Sequence, residues 1–344
     1  MNKTLKNIIS YALMLGAAAF LLWFSLKNIE APAGKSKLDF ILDTWNKANK
    51  GYILLSGAVA ILSHLVRAER WRLMLLPIGY PVRLIASFFS VMVGYFINLA
   101  IPRGGEISRC LNMFRLEAVP VETSAGTVVA ERLIDVIFLL CFIAASFLIE
   151  YDKLIGLLKD FIAKRNSAQA AGGSSFPFLW VFFGVILVFA LVVIYLSKTG
   201  KLKNLSIKLA EIWINMKKGL FSVFTLEKKG AFMFYSLLIW VLYFLMAWLV
   251  MLAFDETRIL GLEAALTVFT LGSIAMAMPL PGGAGSYHIL VPAGLYVFYG
   301  LATDKALAFT IVFHAWQTLV LIIFGFVSVI GSQLLKPRKY ESGK

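Results

Sequence analysis

The chain has 344 residues, 60% of them hydrophobic and only 15% charged, with a mean hydropathy of +0.82 and a net charge of +14. Several runs approach the roughly 20 apolar residues of a spanning helix. That composition excludes a soluble domain with one large core and defines an all-α, polytopic helical membrane protein.

In chain order, spans are expected near 8–26, 51–69, 84–101, 124–149, 176–196, 231–254, 259–279 and 303–334, about eight in all. Lys3 and Lys6, an apolar stretch and Ala31-Pro32-Ala33 superficially resemble a cleavable signal peptide, but the apolar region is long for one and a retained first helix is favoured. Two shorter stretches, 104–119 and 284–300, each follow a proline and a glycine pair. The first break reads Asn98-Leu99-Ala100-Ile101-Pro102-Arg103-Gly104-Gly105-Glu106, with Arg109 after it; the second reads Met278-Pro279-Leu280-Pro281-Gly282-Gly283-Ala284-Gly285-Ser286-Tyr287-His288. Irregular backbone and ionisable side chains at membrane depth are tolerated where protein or a water-filled cavity shelters them.

Lysine and arginine placement sets the orientation. Lys198, Lys201, Lys203, Lys208, Lys217, Lys218, Lys228 and Lys229 face only Glu211 and Glu227, so residues 198–229 are expected on the cytoplasmic side. Arg67, Arg70, Arg72 and Arg83 place the second connection there, and Lys336, Arg338 and Lys339 place the C-terminus there, with the N-terminus on the same side. For these assignments to agree, the chain must return between residues 102 and 123, by a full crossing or by a re-entrant hairpin; charge bias does not separate the two. The same count in the second half sends 259–279 in the opposite direction to 84–101. An inverted repeat over 51–149 and 231–334 is therefore expected within a single membrane domain spanning 1–344, with the substrate site where the broken helices meet. Residues 150–230 join the repeats.

Polar residues then fall on faces. His64, Arg67, Arg70 and Trp71 lie within an arc of about 120° on one helix, while Glu69 points elsewhere. Glu131 and Asp135 share a face at i, i+4 beside Arg132, and Glu106 and Arg109 share one at i, i+3. Arg67 and Arg70 read either as positive-inside anchors or as site residues, and Glu131, Arg132 and Asp135 either as an interhelical clamp or as site residues. Glu106 and Arg109 carry the stronger functional claim, because a helix start exposes backbone donors suited to phosphate and arginine adds a fork of donors. His288 and His314 read first as hydrogen-bonded packing residues. No metal-type spacing accompanies the histidines or Cys110 and Cys141, so no metal or other cofactor is expected.

Residues 201–220 place Leu202, Leu205, Leu209, Ile212, Trp213 and Met216 opposite lysines, the pattern of a helix on an anionic leaflet or of a core-packed connector. Leu38, Ile41, Leu42 and Trp45 repeat that pattern over a shorter length, and Ser167 to Ser175 reads as a flexible loop. The net charge thus points to a membrane surface, and no nucleic-acid module is present.

Ala68-Glu69-Arg70-Trp71-Arg72, the Asn98-to-Arg109 segment, Glu131-Arg132-Leu133-Ile134-Asp135 and Pro281-Gly282-Gly283-Ala284-Gly285 resemble, in that order, the motifs of the flippase-like membrane domain of bacterial lysylphosphatidylglycerol synthases and its stand-alone relatives. The resemblance implies a bacterial cytoplasmic-membrane protein that moves an anionic phospholipid or polyprenyl-phosphate-linked lipid between leaflets. No aminoacyl-transferase domain follows the last span, so lysyl transfer is not expected, and His288 stands where many relatives carry glutamate. The expected substrate contacts are Arg67, Arg70, Asn98, Arg103, Gly104, Gly105, Glu106, Arg109, Glu131, Arg132, Asp135, Gly282, Gly283 and His288. Membrane lipids are the expected partners, and homo-oligomerisation is left open. Two other classes compete: a non-transporting scaffold or regulator of a lipid- or glycan-modifying enzyme, and an intramembrane enzyme using Glu131, Asp135 or His288. The latter lacks a nucleophile or metal constellation, so no enzymatic activity is expected.

Overall fold

The computed structural model describes residues 36–101, 103–153, 155, 213–278, 281–283 and 285–338. The expected spans at 8–26 and 176–196, the loop Ser167 to Ser175, and Leu202, Leu205, Leu209 and Ile212 lie outside the described residues, as do the side chains of Leu38 and Ile41.

The described chain is helical. After α1 (Lys37–Lys47), whose N-cap Ser36 accepts from the Asp39 amide, come α2 (Lys50–Leu75), α3 (Leu84–Ala100), α4 (Gly104–Glu117) and α5 (Val121–Ile149). Beyond a helical stretch at 213–221 follow α6 (Lys229–Leu252), α7 (Gly261–Ala277), α8 (Ser286–Tyr299) and α9 (Thr303–Leu334). Four helical stretches are long and apolar enough to cross a membrane: Lys50–Ile78, Val121–Ile149, Lys229–Leu252 and Thr303–Leu334. The expected spans at 84–101 and 259–279 are shorter. Each is a helix of 17 residues, about 26 Å at 1.5 Å per residue, against a hydrocarbon thickness of about 30 Å.

The stops are chemical. Arg103 takes a left-handed φ of 60° just before Gly104-Gly105, turning α3 into α4. Ala118, at φ 52°, ends α4 ahead of Pro120. The second break bends at Gly282 and Gly283, both at positive φ, a conformation that costs glycine little. The two units repeat in helix length, 26, 17, 14 and 29 residues for α2–α5 and then 24, 17, 14 and 32 for α6–α9. They are interleaved. α2 packs on α6, the hairpins are α3/α4 and α7/α8, α3 crosses to α9, and α7 crosses to α5. The breaks touch: a Cβ at Gly282 would sit 3.1 Å from Leu99 Cδ2, near the end of α3.

α5 shows how lipid reverses the usual pattern. Leu133, Val136, Ile137, Leu140 and Leu148 are exposed, whereas Ser124, Thr127, Glu131 and Asp135 form its buried stripe. The apolar groups face the hydrocarbon and the polar ones face protein. Buried Asn112 on α4 ties the hairpin to α9, its amide donating to Ser90 Oγ at 3.1 Å and Ser332 Oγ at 3.0 Å. Residues 213–221 dock closely on the start of α5, because Gly219 lies against the Thr123 carbonyl and Gly126 against that of Met216. This described end of the amphipathic stretch is therefore a packed connector, with Trp213 and Ile214 still exposed. Trp45 of α1 packs against Trp316, their ring centroids 6.1 Å apart.

Candidate functional site

Five ionised side chains from three helices converge in the first unit. Arg67 and Arg70 come from the buried face of α2, Arg109 from α4, and Glu131 and Asp135 from the buried stripe of α5; all five are buried, Arg70 and Glu131 completely. Arg67 pairs with Glu131 and reaches Asp135 at 2.8 Å. Arg70 reaches Asp135 at 2.9 Å and Glu131 at 3.2 Å, and its other terminal nitrogen donates to Ser236 Oγ at 3.1 Å. Arg109 donates to Glu131 at 2.7 and 3.4 Å. Arg132 also approaches Asp135, at 4.0 Å, but is balanced by Glu106, so the three remaining guanidinium groups face two carboxylates and leave one positive charge in a low-dielectric interior. Such a charge is costly unless it is paired or used.

A neutral frame fixes the arginines. The Arg109 guanidinium lies 3.8 Å over the Trp71 ring, and Trp71 Nε1 donates to Thr127 Oγ1 at 2.8 Å. Arg67 Nε donates to Tyr243 Oη at 3.3 Å, which in turn contacts Tyr95 Oη at 3.3 Å. Outside the cluster, Glu69 holds Arg72 at 2.7 Å, as the helical arc implies.

Glu106 and Arg109 do share a face but do not pair with each other. Glu106 accepts from Arg132 at 2.9 Å, a pair partly open to the outside with side-chain exposures of 30% and 42%. Both residues line a crevice with Val91, Gly94, Tyr95, Asn98, Gly105 and Arg109. Its volume of about 10 Å³ is near the minimum for one water. Glu106 Oε2 and Arg109 Nε are buried without a hydrogen-bond partner among the described residues. Asn98 Oδ1 accepts from the Gly105 amide at 2.7 Å, so the asparagine serves the hairpin turn. Because Arg132–Glu106 is half exposed, Arg132→Gln is expected to cost about 1 kcal/mol or less in a thermal melt.

The structure separates the remaining expected contacts from this cluster. Arg103 is exposed at the tip of the first break and has no ion pair among the described residues. Gly104 lies against Ile101 rather than in the crevice. Gly282 sits on Leu99, Gly283 on Met276, and His288 against His314 at the second break. Sequence reasoning missed Gly94, Tyr95 and Tyr243. Val91, Gly94, Tyr95 and Asn98 follow the i, i+3, i+4, i+7 stripe of one helix face, a signal obscured by the apolar run around it.

A polytopic helical membrane protein with a buried, incompletely neutralised ionic cluster beside a broken helix is the class that fold and site define. The chain belongs to the family described as the lysylphosphatidylglycerol synthase TM region, whose family profile matches residues 7–325. It is also 31% identical over 122 residues to the UPF0104 membrane protein MJ1595 of Methanocaldococcus jannaschii. That match covers 35% of this chain and 36% of the relative, so the chain spans about a third of its length. No solved structure matches.

Proposed function

We propose that this protein moves a lipid with an anionic, phosphate-bearing head group between the two leaflets of the membrane, and that it does so without bond chemistry. The observation that carries this reading is the single uncompensated positive charge of the Arg67–Arg70–Arg109–Glu131–Asp135 cluster, presented by Arg109 to a crevice beside the first break. An anion is the ligand such a cluster lacks, and arginine matches phosphate geometry with two parallel donors.

The crevice holds about one water, so a head group enters only when α4 and α5 part. Arg109 then exchanges Glu131 for phosphate, while Arg67 and Arg70 keep Asp135. The repeated helix lengths and the contact between the breaks support an inverted repeat with two re-entrant hairpins. In that arrangement the substrate passes between hairpins entering from opposite faces, and both termini are cytoplasmic. The lipid is an anionic phospholipid or a polyprenyl-phosphate-linked one.

Arg109→Ala tests the reading in proteoliposomes containing fluorescent phosphatidylglycerol or a labelled polyprenyl phosphate. A charge-assisted hydrogen bond contributes about 1.5–3 kcal/mol, so the translocation rate should fall roughly 10- to 100-fold. Arg72→Ala, which breaks only the outer pair with Glu69, should leave it within about twofold. Equal rates for Arg109→Ala and the parent would refute the proposal.

A further inference from the structure

The two units repeat in their contacts as well as their lengths. Counting from the first residue of each helix, Arg67 of α2 and Met246 of α6 hold the same position, as do Asp135 of α5 and Gln317 of α9. The Arg67–Asp135 ion pair at 2.8 Å is matched in the second unit by Gln317 Nε2 donating to Met246 Sδ at 3.9 Å. His64 and Tyr243 are likewise equivalent, and their rings meet, centroids 6.4 Å apart, where α2 packs on α6. Glu106 is third in α4 and His288 third in α8; Arg132 is twelfth in α5 and His314 twelfth in α9. The Glu106–Arg132 pair of the first unit therefore corresponds to the His288–His314 pair of the second, whose ring centroids are 4.8 Å apart at 87°.

We propose that His288 and His314 form a proton-binding site, the titratable counterpart in the second unit of the Glu106–Arg132 ion pair in the first. His314 Nε2 lies 2.8 Å from the Gly282 carbonyl. A carbonyl only accepts, so Nε2 carries the hydrogen and the lone pair resides on Nδ1. That Nδ1 is buried and has no hydrogen-bond partner among the described residues, on a residue 3% exposed. Tyr287 stacks on the other side of the ring, centroids 4.9 Å apart, which holds the imidazole in place.

His288 is only partly buried and supplies the route by which a proton arrives. The proton adds to the Nδ1 lone pair, turning a neutral pair into one of charge +1 beside the second ring. A second proton would set two cations about 5 Å apart in a poorly screened interior, so the pair takes one. The Gly282 bond survives, because Nε2 keeps its hydrogen and becomes a donor on a charged ring. Facing the pair are Tyr287 from α8 and the Gly282 carbonyl from the second break. α7, α3, α2 and α1 also pack against α8 or α9 and, among the described residues, bring no charged or titratable side chain that acts on either ring. An ionisable group within the membrane is a candidate for an ion or proton pathway, and here the geometry adds to that the free Nδ1. This proposal does not rest on the lipid reading.

The chain contains three histidines, which makes the test direct. Full-length protein labelled with 15N-histidine in phosphatidylcholine vesicles is titrated from pH 8 to pH 5 by solid-state 15N NMR, and resonances are assigned by their loss in His64→Asn, His288→Asn and His314→Asn. One imidazolium per His288–His314 pair is expected, and His288→Asn should change the proton affinity of His314 at least tenfold. Should His314→Asn not fold, the wild-type titration still counts the protons, and the other two variants assign the third ring by difference. Both rings neutral down to pH 5, or a His314 titration unchanged by His288→Asn, would overturn the proposal. Loss of lipid movement in Arg109→Ala has no bearing on either outcome.

Discussion

Replacing Glu131 by glutamine is expected to destabilise the protein more than any other single change in the ionic cluster. Glu131 is completely buried and interacts with all three cluster arginines, accepting from Arg67 and from Arg109 at 2.7 Å and lying 3.2 Å from Arg70. Glutamine keeps the shape and removes the charge, so Asp135 alone would face three guanidinium groups. Breaking a buried pair by deleting one partner costs about 3–5 kcal/mol, because the uncompensated charges stay inside. In detergent, a thermal melt followed by size-exclusion chromatography should show a midpoint roughly 5–15 °C lower.

The double variant Glu131→Gln/Arg109→Met should recover much of that loss. Glu131 is the carboxylate partner of Arg109, whereas Arg67 and Arg70 retain Asp135. Coupling of about 1 kcal/mol or more between the two sites is the expected signature of an interlocked cluster. A Glu131→Gln protein that melts with the parent would mean that the charges are not mutually dependent.

Alanine at Gly105 is expected to open the first hairpin. A Cβ there would overlap the Gly94 carbonyl oxygen and come within 2.6 Å of the Asn98 amide carbon. The principal obstacle is backbone of the facing helix, so relief requires α3 and α4 to separate. Gly94 is tight in the same sense, since a Cβ on it would meet the Gly105 carbonyl oxygen at 2.9 Å. Close approach through small residues is how membrane helices gain packing energy. Overpacking of this kind costs about 1–3 kcal/mol. It should also carry Arg109 away from Glu131 and slow lipid movement more than the loss of stability explains.

Gly104→Ala is the control. Its Cβ would meet Ile101, Cγ2 at 2.8 Å and Cβ at 3.0 Å, rather than the backbone of the facing helix, so the melt should shift less than for Gly105→Ala. Equal stability and equal transport for Gly105→Ala and the parent would show that the hairpin is not held by this crossing.

Much of the cluster was legible beforehand because helical periodicity acts within one element. The face shared by His64, Arg67, Arg70 and Trp71 and the i, i+4 placement of Glu131 and Asp135 both follow from 100° per residue, and the structure buries both faces. Partner choice was not legible. Glu106 and Arg109 are neighbours on α4, yet Arg109 turns to Glu131 and Glu106 to Arg132, a choice set by how α4 lies against α5. The exposure of Arg103 and the contact between Leu99 and Gly282 depend in the same way on where the hairpin tips end. The two units carry similar breaks but little identity elsewhere: their helix lengths match, while Met246 and Gln317 stand at the positions of Arg67 and Asp135.

By itself the sequence determined the membrane class, the positions of the four described long spans, the two breaks and which charged residues share a helix face. Those follow from run length, proline and glycine, and periodicity, all local properties of the chain. Only the tertiary structure decided which arginine meets which carboxylate, that three positive charges share two negative ones, and that the two breaks touch. Those depend on distances between helices far apart in sequence, and no local pattern encodes such distances.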